Sequence, residues 1–148
     1  LMAPGGVIVN VASLAGKLGV PGSAVYSGTK AGLRFWALSA QEDLGRRGIR
    51  IANVNPGPVD TNFFDDDFEH VSDLTFSQPM VTPEAVAAVV MDCVRSDETG
   101  MDVDIPYMSG KLSTIAYLAP GIGRMLRPLL ERKGAAAKKK YLAKRGLG

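Results

Sequence analysis

The sequence is poor in the residues that build staples and metal cages. Its 148 residues include one cysteine, Cys93, and one histidine, His70. A single cysteine cannot close an intrachain disulfide, so a disulfide scaffold is excluded and a reducing compartment, the cytoplasm, is expected. Cys93 reads as an inert, buried thiol on an apolar helix face. A single histidine leaves no His-based triad or His-rich metal site, and on its polar stretch His70 reads as exposed. No uncharged apolar run reaches the roughly 18 residues of a membrane span. Leu1–Asn10 has neither the basic start nor the cleavage site of a secretory leader. The net charge is only +2 and 46% of residues are apolar, which excludes a disordered chain. One globular domain at most is left, large enough to bury roughly 70% of the surface of its unfolded chain. The chain opens on Leu1 and enters a strand almost at once, so further sequence is expected upstream.

The small net charge conceals a division. Residues 124–148 carry nine basic side chains against one acid, Glu131, whereas residues 1–123 carry eight basic and fourteen acidic ones. The basic end reads first as a solvated, frayed terminus. A weak contact with an anionic membrane surface is the other reading, and no nucleic-acid partner is expected.

Val7–Val11 is a short, β-branched apolar run of the kind buried on both faces of a parallel sheet. Ser23 to about Arg47 has no proline, and Leu33, Trp36, Ala37, Ala40 and Leu44 recur at helical spacing, with Gly48 placed as a C-cap. Phe35 and Trp36 read as core or helix–helix contacts. Ile49–Asn55 is a second strand, stopped by Pro56-Gly57-Pro58. Strand, helix and strand make a right-handed βαβ unit with parallel strands. Thr61–Met80 reads as a long loop or short lid helix, and its run Asp65–Asp67 as solvated, not metal-binding. Thr82 caps a helix that Pro83 opens. Asp102–Pro106 is a third strand. An apolar segment, Leu112–Leu130, follows, interrupted by Pro120, Gly121, Gly123 and Pro128.

Tyr26 and Lys30 stand four apart at the start of the long helix and share a face. A cation beside a phenol stabilises the phenolate, which lets a tyrosine exchange a proton with a substrate oxygen. Ser13 stands at the carboxyl end of the first strand, where open parallel sheets place their ligands. Pro56-Gly57 makes a turn against which a flat ring could lie. The Tyr-x-x-x-Lys pattern also occurs at Tyr107 and Lys111. That pair directly follows a strand, and Pro106 and Gly110 argue against a helix carrying it, so it is taken as accidental.

In order, spacing and strand placement, residues 5 to 106 resemble the short-chain dehydrogenases/reductases. Val9-Asn10-Val11-Ala12-Ser13 is similar to the family's strand ending in its catalytic Ser, and Tyr26-Ser27-Gly28-Thr29-Lys30 to its Tyr-x-x-x-Lys. Asn55-Pro56-Gly57-Pro58-Val59-Asp60-Thr61 is similar to its Pro-Gly segment. The resemblance implies an α/β fold, a partial doubly wound parallel sheet of Rossmann type without its N-terminal strands. Residues 1–108 would be the C-terminal half of a catalytic domain and 109–148 a helical, basic extension. It implies NAD or NADP as cofactor and hydride transfer to or from a small-molecule alcohol or carbonyl substrate. Tyr26 would be the general acid/base, Lys30 would support it and hold the nicotinamide ribose, and Ser13 would hold the substrate oxygen. Pro56, Gly57, Val59 and Thr61 would seat the nicotinamide, and Phe63, Phe64 and Phe68 would wall the substrate. A dimer or tetramer is expected. The family's glycine-rich phosphate turn, the residue that selects NAD or NADP, and its catalytic Asn would lie upstream of Leu1. The chain alone is therefore expected to bind cofactor poorly and to be inactive. Two other readings stand beside this one: an extended relative acting on nucleotide sugars, and a catalytically silent binding or regulatory module of the same fold.

Overall fold

The computed structural model describes residues 2–64 and 68–146. Asp65–Asp67 lie outside the described residues. Three strands, β1 (Val7–Val11), β2 (Arg50–Pro56) and β3 (Met101–Ile105), form a parallel sheet in the order β1-β2-β3. The register aligns Val9 with Ala52 and Met101, and Val11 with Val54 and Val103. Five helices accompany them among the described residues: α1 (Ala24–Gly45), α2 (Asp73–Phe76), α3 (Pro83–Arg95), α4 (Tyr107–Leu118) and α5 (Pro120–Arg145). This is the expected partial Rossmann-like α/β arrangement. Thr82 caps α3 through a bond from the Ala85 amide, with Pro83 in its first turn. The chain turns from α1 into β2 at Gly48, whose φ of +68° suits glycine.

Strand side chains alternate between faces, and the two faces of this sheet differ sharply. Val9, Ala52, Val54, Met101, Val103 and Ile105 form an apolar face and pack on Val86, Val89, Val90 and Cys93 of α3. The opposite face carries Asn10, Asn53, Asn55, Asp102 and Asp104 and receives α1, where the Asn53 amide donates to the Arg34 carbonyl at 3.3 Å. The apolar stripe of α3 can be buried only on the Val/Ala face. The two helices therefore lie on opposite sides while the strand order advances in one direction, so the crossovers have opposite hand. Only one of them follows the right-handed preference.

Beneath α1 the polar face is neutralised internally. Lys17 Nζ sits 2.7 Å from Asp104 and 3.3 Å from Asp102, and the Arg34 guanidinium grips Asp102. The Asn55 amide donates to both carboxylates, at 2.7 and 3.1 Å. Burial raises the Asp102 carboxyl, but the bonds from Arg34 and Asn55 and the Lys17 charge outweigh it and hold the group below its ordinary value.

Three expectations need correction. Tyr107 and Lys111 do lie on a helix, α4, with Lys111 Nζ 4.7 Å from the Tyr107 ring. Pro106 precedes the first turn, and Gly110 sits so close to Asp104 that a Cβ would stand 2.0 Å from Oδ2. That glycine serves close packing; it does not break the helix. The basic end is no frayed tail either: α5 runs through Pro128 and docks by Lys138, Tyr141 and Arg145. Gly134 permits the docking, since a Cβ there would stand 1.8 Å from the Asp73 carbonyl oxygen. Finally, the core reading of Phe35 and Trp36 is corrected: both are exposed in this chain, while Ala37 takes the buried position on α1.

Candidate active site

The carboxyl edge of the sheet gathers most of the residues singled out in the sequence. β1 ends at Val11, and the chain then enters a short 3-10 turn, Leu14–Gly16. Ser13 caps that turn: its buried Oγ accepts from the Ala15 amide at 3.1 Å and donates to the Pro56 carbonyl at 3.4 Å. The turn lies hard against the first coils of α1, because a Cβ on Gly16 would stand 2.8 Å from the Lys30 carbonyl carbon. This contact sets where Lys30 begins. Its Nζ then reaches back and donates to the Val11 carbonyl at 3.0 Å.

Tyr26 is 37% exposed, its ring 5.7 Å from Lys30 Nζ and 6.1 Å from the Phe63 ring. The phenol is therefore not aimed into packed interior. No hydrogen bond joins the side chains of Ser13, Tyr26 and Lys30 to one another among the described residues. Ser13 is tied to Pro56, and Lys30 to the end of β1 and the Tyr26 ring. Among the described residues, Lys111 makes no hydrogen bond to a strand end; its contact is with the Tyr107 ring.

On the β2 side, the Gly57 amide donates to the Ile105 carbonyl at 2.7 Å. A Cβ on Gly57 would meet Pro106, Gln78 and Leu14 at 3.4 to 3.6 Å, so the bare turn is closely walled. Val59 bridges to Val81, and the Thr61 hydroxyl accepts from the Phe63 amide at 3.3 Å. Between them Asp60 receives the Tyr141 hydroxyl at 2.8 Å and Arg145 at 3.1 Å. The Tyr141 bond, more than the opposing burial, and then Arg145 hold the Asp60 carboxyl below its ordinary value. Phe64, Phe68, Phe76 and Tyr141 form a ring cluster at 5.7 to 6.3 Å, joined through Phe63 to Tyr26. Phe68 and Phe76 are buried within it, and Phe63 is exposed, so one of the three loop phenylalanines stands open beside Tyr26.

Sequence reasoning missed Gln78. Its Oε1 is buried without a hydrogen-bond partner, 3.6 Å from where a Gly57 Cβ would stand. No pattern in Phe76-Ser77-Gln78-Pro79 marks it; only the fold carries that loop back to the Pro-Gly turn. The links from Asp60 to Tyr141 and Arg145 span more than 80 positions and leave no local signal either. His70 is exposed, Cys93 is buried, and no cluster of metal-ligating side chains exists among the described residues.

A parallel sheet with helices on both faces and polar groups at its carboxyl edge defines a Rossmann-like α/β protein. The sequence model described as short chain dehydrogenase matches residues 1–72. Ketoacyl reductase HetN of Nostoc sp. is 36% identical over 103 residues, 67% of this chain and 34% of its own. The angucycline C-6 ketoreductase LanV, solved with NADP, is 31% identical with a TM-score of 0.57, over 70% of this chain and 43% of that one. The actinorhodin polyketide ketoreductase, solved as its F189W variant with NADPH, is 29% identical with a TM-score of 0.60, over 68% and 46%. The chain belongs to the short-chain dehydrogenase/reductase family. It spans less than half the length of these relatives.

Proposed function

We propose that the protein is an NAD(P)-dependent oxidoreductase that moves a hydride between a nicotinamide cofactor and an alcohol or ketone. The observation that carries this reading is Lys30, anchored by the Val11 carbonyl at the end of β1 with its charge beside the Tyr26 ring. Tyr26 is the general acid/base: in reduction its hydroxyl gives a proton to the substrate oxygen, and in oxidation the phenolate takes it back. Lys30 stabilises the phenolate and offers its remaining N–H donors to the cofactor ribose. Ser13 holds the substrate oxygen by turning its proton away from Pro56, a change made cheap by the length of that bond.

The residues at the second strand end fit a nicotinamide carboxamide. Pro56, Gly57, Val59 and Thr61 form its seat, and Gln78 Oε1 is a buried acceptor beside Gly57 that lacks a donor. Bound there, the nicotinamide supplies or accepts the hydride. Exposed Phe63 beside Tyr26 favours an apolar substrate. Ketoreductases among the relatives agree with this chemistry. Residues 1–108 act as the C-terminal half of the catalytic domain, and this chain alone is inactive.

Tyr26→Phe in the whole encoded protein tests the assignment. Hydride transfer is expected to fall roughly a thousand-fold with cofactor binding retained. Unchanged turnover would remove Tyr26 from the chemistry, and a protein that binds cofactor yet never turns over would be the silent module.

A further inference from the structure

The helix α4 is built inside out. It buries Ser109, Gly110 and Ser113 and turns Tyr107, Met108, Leu112, Ile115 and Leu118 outward. These outward residues share one face at helical spacing, with Leu118 74% exposed. The next helix continues the theme. Ile122, Met125, Leu126 and Leu129 are exposed at i, i+3, i+4 and i+7, with Met125 72% exposed, and Arg132 and Lys133 prolong that stripe. The docking contacts of α5 fall in its second half, on Gly134, Lys138 and Tyr141, whereas most of residues 121–129 are exposed. Exposed apolar side chains repeated along the outward faces of two successive helices mark a docking face.

Charge selects what docks there. Residues 107–133 carry Lys111, Arg124, Arg127, Arg132 and Lys133 against one acid, Glu131. A second copy placed face to face would set these cations against one another, whereas an anionic lipid surface attracts them. No helix among the described residues is long and apolar enough to cross a membrane. Amphipathic helices with apolar and basic side chains on the outward side lie in the lipid interface.

We propose that α4 and the first half of α5 dock the protein on an anionic lipid surface, with their apolar side chains among the acyl chains and the cations at the headgroups. Docking would hold the carboxyl edge of the sheet, from which α4 departs, next to the bilayer. Substrates partitioned into lipid would then be favoured.

Co-sedimentation of the whole chain with phosphatidylcholine vesicles, with and without phosphatidylserine, tests this without any turnover. The chain is expected to sediment with phosphatidylserine vesicles at low salt and to be released at high salt. Each cation near such a surface contributes about five-fold to partitioning, so Arg132→Gln with Lys133→Gln is expected to weaken binding roughly twenty-five-fold. Leu112→Ser with Met125→Ser is expected to abolish it. These side chains are exposed, so the melting temperature of both variants should match the parent's. Absent binding, or binding equal on neutral vesicles and indifferent to salt, overturns the proposal. Self-association that the serine variant abolishes, without vesicle binding, assigns the face to a second copy and overturns it as well.

Discussion

Tyr141 donates its hydroxyl proton to Asp60 Oδ1 across 2.8 Å, and that bond ties the last helix to the segment leaving β2. Arg145 reinforces it on Asp60 at 3.1 Å and reaches Asn62 at 2.9 Å, while Lys138 holds the Val71 carbonyl at 2.8 Å. Asp60 lies between Val59 and Thr61, so α5 is a strap across the proposed nicotinamide seat.

Tyr141→Phe removes the strap's main bond and keeps its ring. The Asp60 carboxyl, now held low chiefly by Tyr141, is expected to titrate higher, which NMR of the side-chain carboxyl would read. Cofactor KM in the whole protein is expected to rise several-fold with little change in kcat. An unchanged KM would leave α5 without a role at the site.

Asp102 makes the fold sensitive to acid. Its folded value is depressed despite burial, by Arg34, Asn55 and Lys17. Its stabilisation is therefore present above the ordinary carboxylate pKa of about 4 and is lost as pH falls through the lower folded value. Asp102→Asn leaves Arg34 underneutralised and is expected to cost about 3 kcal/mol at neutral pH. Melting curves across acidic pH should fall less steeply for the variant than for the parent.

Gly16 fixes the position of Lys30. A side chain at Gly16 meets the backbone of Lys30 at 2.8 Å, whereas Gly19 has nothing within 4 Å. In the whole encoded protein, Gly16→Val is expected to destabilise by about 2 kcal/mol and to suppress hydride transfer beyond what that loss explains, as α1 shifts. Gly19→Val is the control and should leave melting temperature and activity near the parent's.

Gln78 gives a prediction of opposite signs. Its unpartnered buried oxygen destabilises the chain without cofactor, by about 1 kcal/mol. In the whole encoded protein, Gln78→Leu is expected to raise the melting temperature without cofactor and to weaken nicotinamide cofactor binding roughly ten-fold by titration calorimetry. A variant that loses stability and keeps its cofactor affinity would place Gln78 outside the site.

Local chemistry made much of this protein legible. Val7–Val11 and Arg50–Pro56 are strands, and Thr82-Pro83 starts a helix, because each carries its own propensity and cap. Tyr26 and Lys30 share a helix face because four residues make about one turn. Gly110 misled because a glycine looks the same in sequence whether it breaks a helix or admits a neighbour. Only the Asp104 carboxylate, packed against it, distinguishes the two.

Sequence alone thus determined the parallel βαβ frame, the placing of Ser13, Tyr26 and Lys30 near strand ends, and the basic character of the last residues. Those features depend on periodicity, capping and composition, which act over a few neighbours. Tertiary structure decided the opposite hand of the two crossovers, the burial of Asp102 under Arg34, the strap from Tyr141 to Asp60 and the outward apolar face of α4. These depend on which surfaces meet across tens of residues. Such meetings are set by competition among all possible packings, and no single stretch of chain encodes them.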